Sequence, residues 1–126
     1  MLLRILRKLL SHGFRGERRI APRYADGSRV EVEMALQSFH GRLLDVSETG
    51  ARLVSGTRVD VGRSILVRIP RSNGYGHLVL VVRWVVQKSG CFVFGAVPDG
   101  QYAFAQALLR TQVGVLKSPW RARLAM

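Results

Sequence analysis

The chain has a single cysteine, Cys91, so no disulfide can form within it, and a reducing compartment fits that composition. Cys91 lies in an apolar stretch and reads as a small hydrophobe. Acidic residues number eight and histidines three, and His12, His40 and His77 stand far apart with no metal-ligand spacing. No Gly-x-x-x-x-Gly-Lys-Ser/Thr loop is present, which argues against a nucleoside triphosphatase. Ser47 has no histidine near it in sequence. With so little acid–base or nucleophilic equipment, the residues point to a binding protein and not to an enzyme. Long apolar runs are missing too. The best, from Leu78 to Val82, is cut off by Arg83, far short of a bilayer span. Arg4, Arg7 and Lys8 interrupt what would be the apolar stretch of a secretory signal, so a cytoplasmic protein is expected.

Positive charge is what the sequence has in excess. Across 126 residues, 20 Lys and Arg against 8 Asp and Glu leave a net charge of +12. That balance calls for anionic partners: nucleotides, nucleic acid or acidic lipid. The length suits one domain with a modest core, and an apolar fraction of 48% suffices to build it. The charge gathers at the ends. Arg4, Arg7, Lys8, Arg15, Arg18, Arg19 and Arg23 precede the first strand, and Lys117, Arg121 and Arg123 follow the last helix.

Two motifs stand out against this background. Arg19-Ile-Ala-Pro-Arg23 puts two guanidinium forks on a segment whose bend is set by Pro22. Asp45-Val-Ser-Glu-Thr-Gly50 places a carboxylate, a hydroxyl and a glycine on one tight connection between strands. Arginine forks grip phosphate or the O6/N7 edge of guanine, and a carboxylate accepts from ring and amino N–H groups. Glycine lets the backbone turn sharply or approach a flat ring closely. Together these groups suit an anionic ligand carrying purine rings. Taken alone, Asp45 and Ser47 equally describe an ordinary turn, and Arg-x-x-x-Arg recurs by chance in so basic a chain.

The patterning divides the chain into parts. Residues 1–12 carry an amphipathic basic helix in which Leu2, Leu3, Ile5, Leu6, Leu9 and Leu10 share an arc of roughly 160°. Residues 13–27 read as a flexible basic linker, broken by Gly13 and Gly16. From Ser28 the period becomes two, with Val30, Val32, Met34 and Leu36 on one face. Further strands are expected at 39–46, 50–55, 63–70, 76–87 and 90–97, with Trp84, Phe92 and Phe94 buried or in the barrel wall. A helix is expected over 100–110, with Asp99 near its N-cap, Phe104 and Leu108 on its buried face and Gly114 at its end. Six strands joined by Gly-rich turns argue for a mainly β fold, a small antiparallel barrel over 28–112 including the helix, followed by a basic tail over 113–126.

The run Glu17-Arg-Arg-Ile-Ala-Pro-Arg23, the alternating strand after it, and Asp45-Val-Ser-Glu-Thr-Gly-Ala-Arg52 resemble the PilZ domain family of bacteria. Val81-Val-Arg-Trp84 and Phe94-Gly-Ala-Val97 are similar to that family's later strands, whereas Pro98 stands where the family often has an aromatic residue. The resemblance runs from about Glu17 to Leu109. It implies a six-stranded antiparallel barrel with a C-terminal helix, and cyclic di-GMP as a ligand with no cofactor and no catalysis. The ligand-binding residues it implies are Arg19, Arg23, Asp45, Ser47 and Gly50. Arg18, just ahead of the motif, would by resemblance contact a second molecule of a stacked ligand dimer. Residues 2–10 are then the output, meeting a protein partner or an anionic inner-membrane surface. Two readings compete: a basic barrel binding nucleic acid, disfavoured because the aromatic residues fall in patterns that bury them, and a membrane-surface or partner-docking adaptor driven by the amphipathic N-terminus, with a vestigial ligand site.

Overall fold

The computed structural model describes residues 22–117. The expected N-terminal helix, most of the basic linker with Arg18 and Arg19, and residues 118–126 lie outside the described residues. Within them the chain is mainly β. Strands β1 (Tyr24–Ala25), β2 (Arg29–Met34), β3 (Gln37–Val46), β4 (Ala51–Ser55), β5 (Ser64–Arg71), β6 (Gly74–Lys88) and β7 (Cys91–Pro98) precede one helix, α1 (Ala105–Lys117). Every pairing is antiparallel, in the order β3-β2-β5-β6-β7-β4, and β4 pairs back to β3 to close a six-stranded barrel. Closure leaves no long open edge to be capped. The two-residue β1 adds to β3 with Tyr24 opposite Val46 and Ala25 opposite Asp45.

Period-two patterning explains the interior. Val30, Val32 and Met34 of β2, Ile65, Val67 and Ile69 of β5, and Leu78, Leu80 and Val82 of β6 point inward and are buried. They join Leu43, Leu53, Phe94 and Ala96 in one core, which α1 completes with Leu109 and Val113. Strand β4 is buried on both faces. Its outer Val54 forms a satellite cluster with Val93, against which Leu44, Trp84 and Cys91 pack.

Three expectations need correction. Leu36 does not continue the buried face of β2. It is fully exposed in the two-residue turn between Met34 and Gln37, where Ala35 takes a left-handed φ of 50°. Alternation ran past the strand because a tight hairpin turn leaves no mark when its residues are Ala and Leu. The helix expected over 100–110 instead begins at Ala105 and runs through Gly114 to Lys117. Residues 113–117 of the expected tail are therefore helical, and Phe104 is exposed ahead of the helix, paired with Tyr102. Asp99 is not an N-cap. Its carboxylate accepts from Ser64 Oγ at 2.8 Å and from the Gln101 amide at 3.0 Å, closing a turn before the helix.

Helix α1 also touches both motif-bearing segments. Gln106 Nε2 donates to the Glu48 carbonyl at 2.5 Å, and Gln112 Nε2 donates to Asp26 at 2.9 Å. Gln112 is buried and accepts in turn from Arg71. Lys117 lies 5.8 Å from the centre of the Tyr24 ring.

Candidate functional site

The short pairing of β1 with β3 brings the two motifs together. With Ala25 opposite Asp45, the arginine two residues before Ala25 reaches the carboxylate: Arg23 Nη1 donates to Asp45 Oδ1 at 2.9 Å. A second guanidinium meets the same carboxylate from β4. Arg52 Nε donates to Asp45 Oδ1 at 3.0 Å, and Arg52 Nη2 stands 2.6 Å from Oδ2. Arg52 is completely buried and Asp45 is 6% exposed, whereas the Arg23 side chain keeps 15% of its surface. Asp45 thus joins a buried cation to one at the edge of solvent.

Registers across the barrel place these groups in one row on its outer face. Asp45 of β3 faces Arg52 of β4, Arg52 faces Gly95 of β7, and Gly95 faces Trp84 of β6. Directly opposed residues share a face. Gly95 is the gap in this row, and the Trp84 indole fills it: a Cβ on Gly95 would stand 2.2 Å from the indole nitrogen. Gly95→Ala is therefore expected to displace Trp84 and lower stability by about 1–3 kcal/mol, read as an earlier midpoint in thermal unfolding. An unchanged midpoint would mean that the indole is not seated there.

The turn between β3 and β4 is tied internally. The Ser47 amide donates to the Gly50 carbonyl at 2.8 Å, and Ser47 Oγ accepts from the Thr49 amide at 3.2 Å. Ser47 is buried at 1% exposure, so its hydroxyl holds the turn's shape. Gly50 does not adopt a left-handed φ. Its lack of a side chain serves close approach instead, because a Cβ there would stand 2.7 Å from the Ala96 carbonyl oxygen.

Beside this row lies a cleft of about 330 Å³. Gly50, Ala51, Gly95, Ala96 and Val97 line its floor on β4 and β7. Arg23 enters from the β3 side, Arg83 and Trp84 from β6. A larger cleft, about 620 Å³, opens at the β2–β3 turn around Leu36 and Arg58, but it holds no residue of either motif. The smaller one is the candidate site because guanidinium groups, a close backbone floor and an aromatic ring converge there. No group of His, Cys, Asp and Glu among the described residues is arranged to hold a metal. His40 and His77 are exposed on β3 and β6.

Of the expected site residues, Arg23, Asp45, Ser47 and Gly50 fall within one local structure. Arg18 and Arg19 lie outside the described residues. Arg52 was not singled out as a site residue, although a signal was present: Asp45 and Arg52 flank the turn at mirrored positions, where opposite charges pair across a hairpin. Arg83 and the outward Trp84 were also missed, because a bulge in β6 shifts the alternation there.

The family model of the PilZ domain matches residues 17–105, and the chain belongs to that family. No curated protein matches it in sequence. Among solved structures it is similar to the K. pneumonia MrkH–c-di-GMP complex, with TM-score 0.59 and 14% identity over 80% of this chain and 53% of that one. It is similar to Escherichia coli YcgR in complex with c-di-GMP, with TM-score 0.60 and 15% identity over 84% of this chain and 49% of that one. The PilZ domain of CeSA from a cellulose synthesizing bacterium matches with TM-score 0.55 and 19% identity, over 77% of this chain and 99% of that one. The chain thus spans about half of MrkH and YcgR and nearly all of the isolated CeSA domain. No helix among the described residues is long and apolar enough to cross a membrane.

Proposed function

We propose that the chain is a cyclic di-GMP receptor module that binds the dinucleotide without transforming it and passes the binding event to a partner. One observation carries the reading: β1–β3 pairing ties Arg23 of the first motif to Asp45 of the second, at the mouth of a cleft floored by Gly50 and β7. MrkH and YcgR, which share the fold, were solved in complex with c-di-GMP.

The residues divide the work. Arg19 and Arg23 grip the phosphodiester and the guanine edge, and Arg18 reaches a second ligand molecule. Asp45 aims Arg23 and supplies an acceptor for guanine N–H groups. Ser47 and Gly50 hold the turn that floors the approach. Because α1 is hydrogen-bonded to Glu48 of the second motif and to Asp26, three residues beyond the first, movement of the second motif or of the chain after the first bears on the helix. Residues 2–10 offer the output face toward a protein partner or the anionic inner surface of the membrane, and the protein acts in the cytoplasm. Ligand changes that output only through its differential affinity for the two arrangements.

Calorimetric titration with cyclic di-GMP tests the proposal. Saturable binding is expected, with two ligand molecules per chain in the wild type and one in Arg18→Leu, and with cyclic di-AMP and a single-stranded oligonucleotide competing poorly. A wild type that gives no binding heat with cyclic di-GMP overturns the reading. An endpoint of one equivalent removes the role assigned to Arg18.

A further inference from the structure

In β6, Leu78, Leu80 and Val82 point into the barrel in strict alternation, which would carry Trp84 inward as well. The register with β7 slips at that point. Val82 faces Ala96 and Trp84 faces Gly95, so Arg83 is an extra residue on β6, a β-bulge. The slip sends Trp84 to the outer face, where it packs on the Val54–Val93 cluster, and returns Val85 to the core. Arg83 and Trp84 therefore both border the cleft, next to each other in sequence. Bulges characteristically re-aim side chains beside functional sites.

We propose that Arg83 is a ligand-binding residue of this site, supplying a second guanidinium against a phosphodiester of the ligand. The proposal rests on the receptor reading above and adds a residue that belongs to neither motif. Arg23 reaches the cleft from the β3 side, and Arg83 reaches it across β4 and β7 from the β6 side. A cyclic dinucleotide carries two anionic phosphodiesters on opposite sides of its ring, which suits a cleft with a cation on each flank. Arg83 is exposed and has no ion pair with an acidic residue among the described residues, whereas Arg68 is clamped by Glu31 and Glu33. A guanidinium that no carboxylate claims is available to an anion.

Titration of the 126-residue chain with cyclic di-GMP at low and high salt tests this. Arg83→Ala is expected to weaken binding about tenfold or more and to flatten its salt dependence, with thermal unfolding unchanged. Arg83→Lys keeps the charge but loses the fork, and should recover affinity in part. Arg58→Ala removes an equal charge from the larger cleft, and should leave affinity within about twofold of wild type. A wild type that binds while Arg83→Ala binds with the same affinity and salt dependence overturns the Arg83 assignment and leaves the receptor reading standing. Equal losses in Arg83→Ala and Arg58→Ala overturn it too, because the effect is then net charge. A wild type that does not bind cyclic di-GMP overturns both.

Discussion

Asp45→Ala is expected to lower the stability of the fold by about 3–5 kcal/mol, because it takes away the carboxylate that meets a buried guanidinium at two points. Arg52 has no exposed surface, and its contacts to Asp45 at 3.0 and 2.6 Å supply the compensating charge. Against a total stability of about 5–15 kcal/mol for a domain of this kind, that loss is a large fraction. It corresponds to a fall in melting temperature on the order of 15–30 °C. Urea unfolding of the single variant and of Asp45→Ala/Arg52→Met separates the causes. Removing both members removes the buried charge along with its carboxylate, so the double variant should be more stable than Asp45→Ala alone. If Asp45→Ala unfolds at the wild-type urea concentration, the pair is not holding β3 to β4. The consequence for function is direct: a loss of ligand binding in an Asp45 variant counts as recognition only where the variant is shown to be folded.

The structural part played by Asp45 was not legible in the sequence, whereas much of the fold was. The strands were legible because one face of each had to be apolar, and Val30, Val32 and Met34 repeat at the period a half-buried strand requires. The two motifs were legible as chemistry, since guanidinium, carboxylate and glycine each restrict what a ligand can be. Their meeting depended on β1, a two-residue strand too short to leave any periodic trace. Arg52 was hidden for a different reason. A basic residue in a short apolar strand ordinarily marks a solvent face, and here that face is covered. Trp84 and Arg83 were hidden by the bulge, which changes the phase of β6 without altering its composition. Leu36 and Phe104 failed in the opposite direction, as apolar residues at turns that strand alternation and helical spacing, respectively, counted as core.

Arg19→Ala and Arg23→Ala should each weaken cyclic di-GMP binding by roughly 10- to 150-fold, and together they should abolish it at micromolar ligand. Each loses a charge-assisted bidentate contact worth about 1.5–3 kcal/mol, and contacts to one ligand from neighbouring residues rarely add simply. Arg23 is the informative member because its structural share can be bounded. Its ion pair with Asp45 lies at the edge of solvent, and Arg52 continues to neutralise that carboxylate when Arg23 is removed. Arg23→Ala is therefore expected to cost less stability than Asp45→Ala while losing most of its affinity. Asp45→Ala shows the reverse balance, with the fold suffering first. Measured side by side, calorimetry for affinity and urea unfolding for stability, the two variants separate loss of ligand contact from loss of fold. Wild-type affinity in Arg19→Ala/Arg23→Ala would move the ligand away from this cleft, and an Arg23→Ala variant that loses as much stability as Asp45→Ala yet keeps wild-type affinity would make the Arg23–Asp45 pair a structural bond with no recognition role. Either result would leave the Arg23–Asp45–Arg52 cluster explained by the barrel alone.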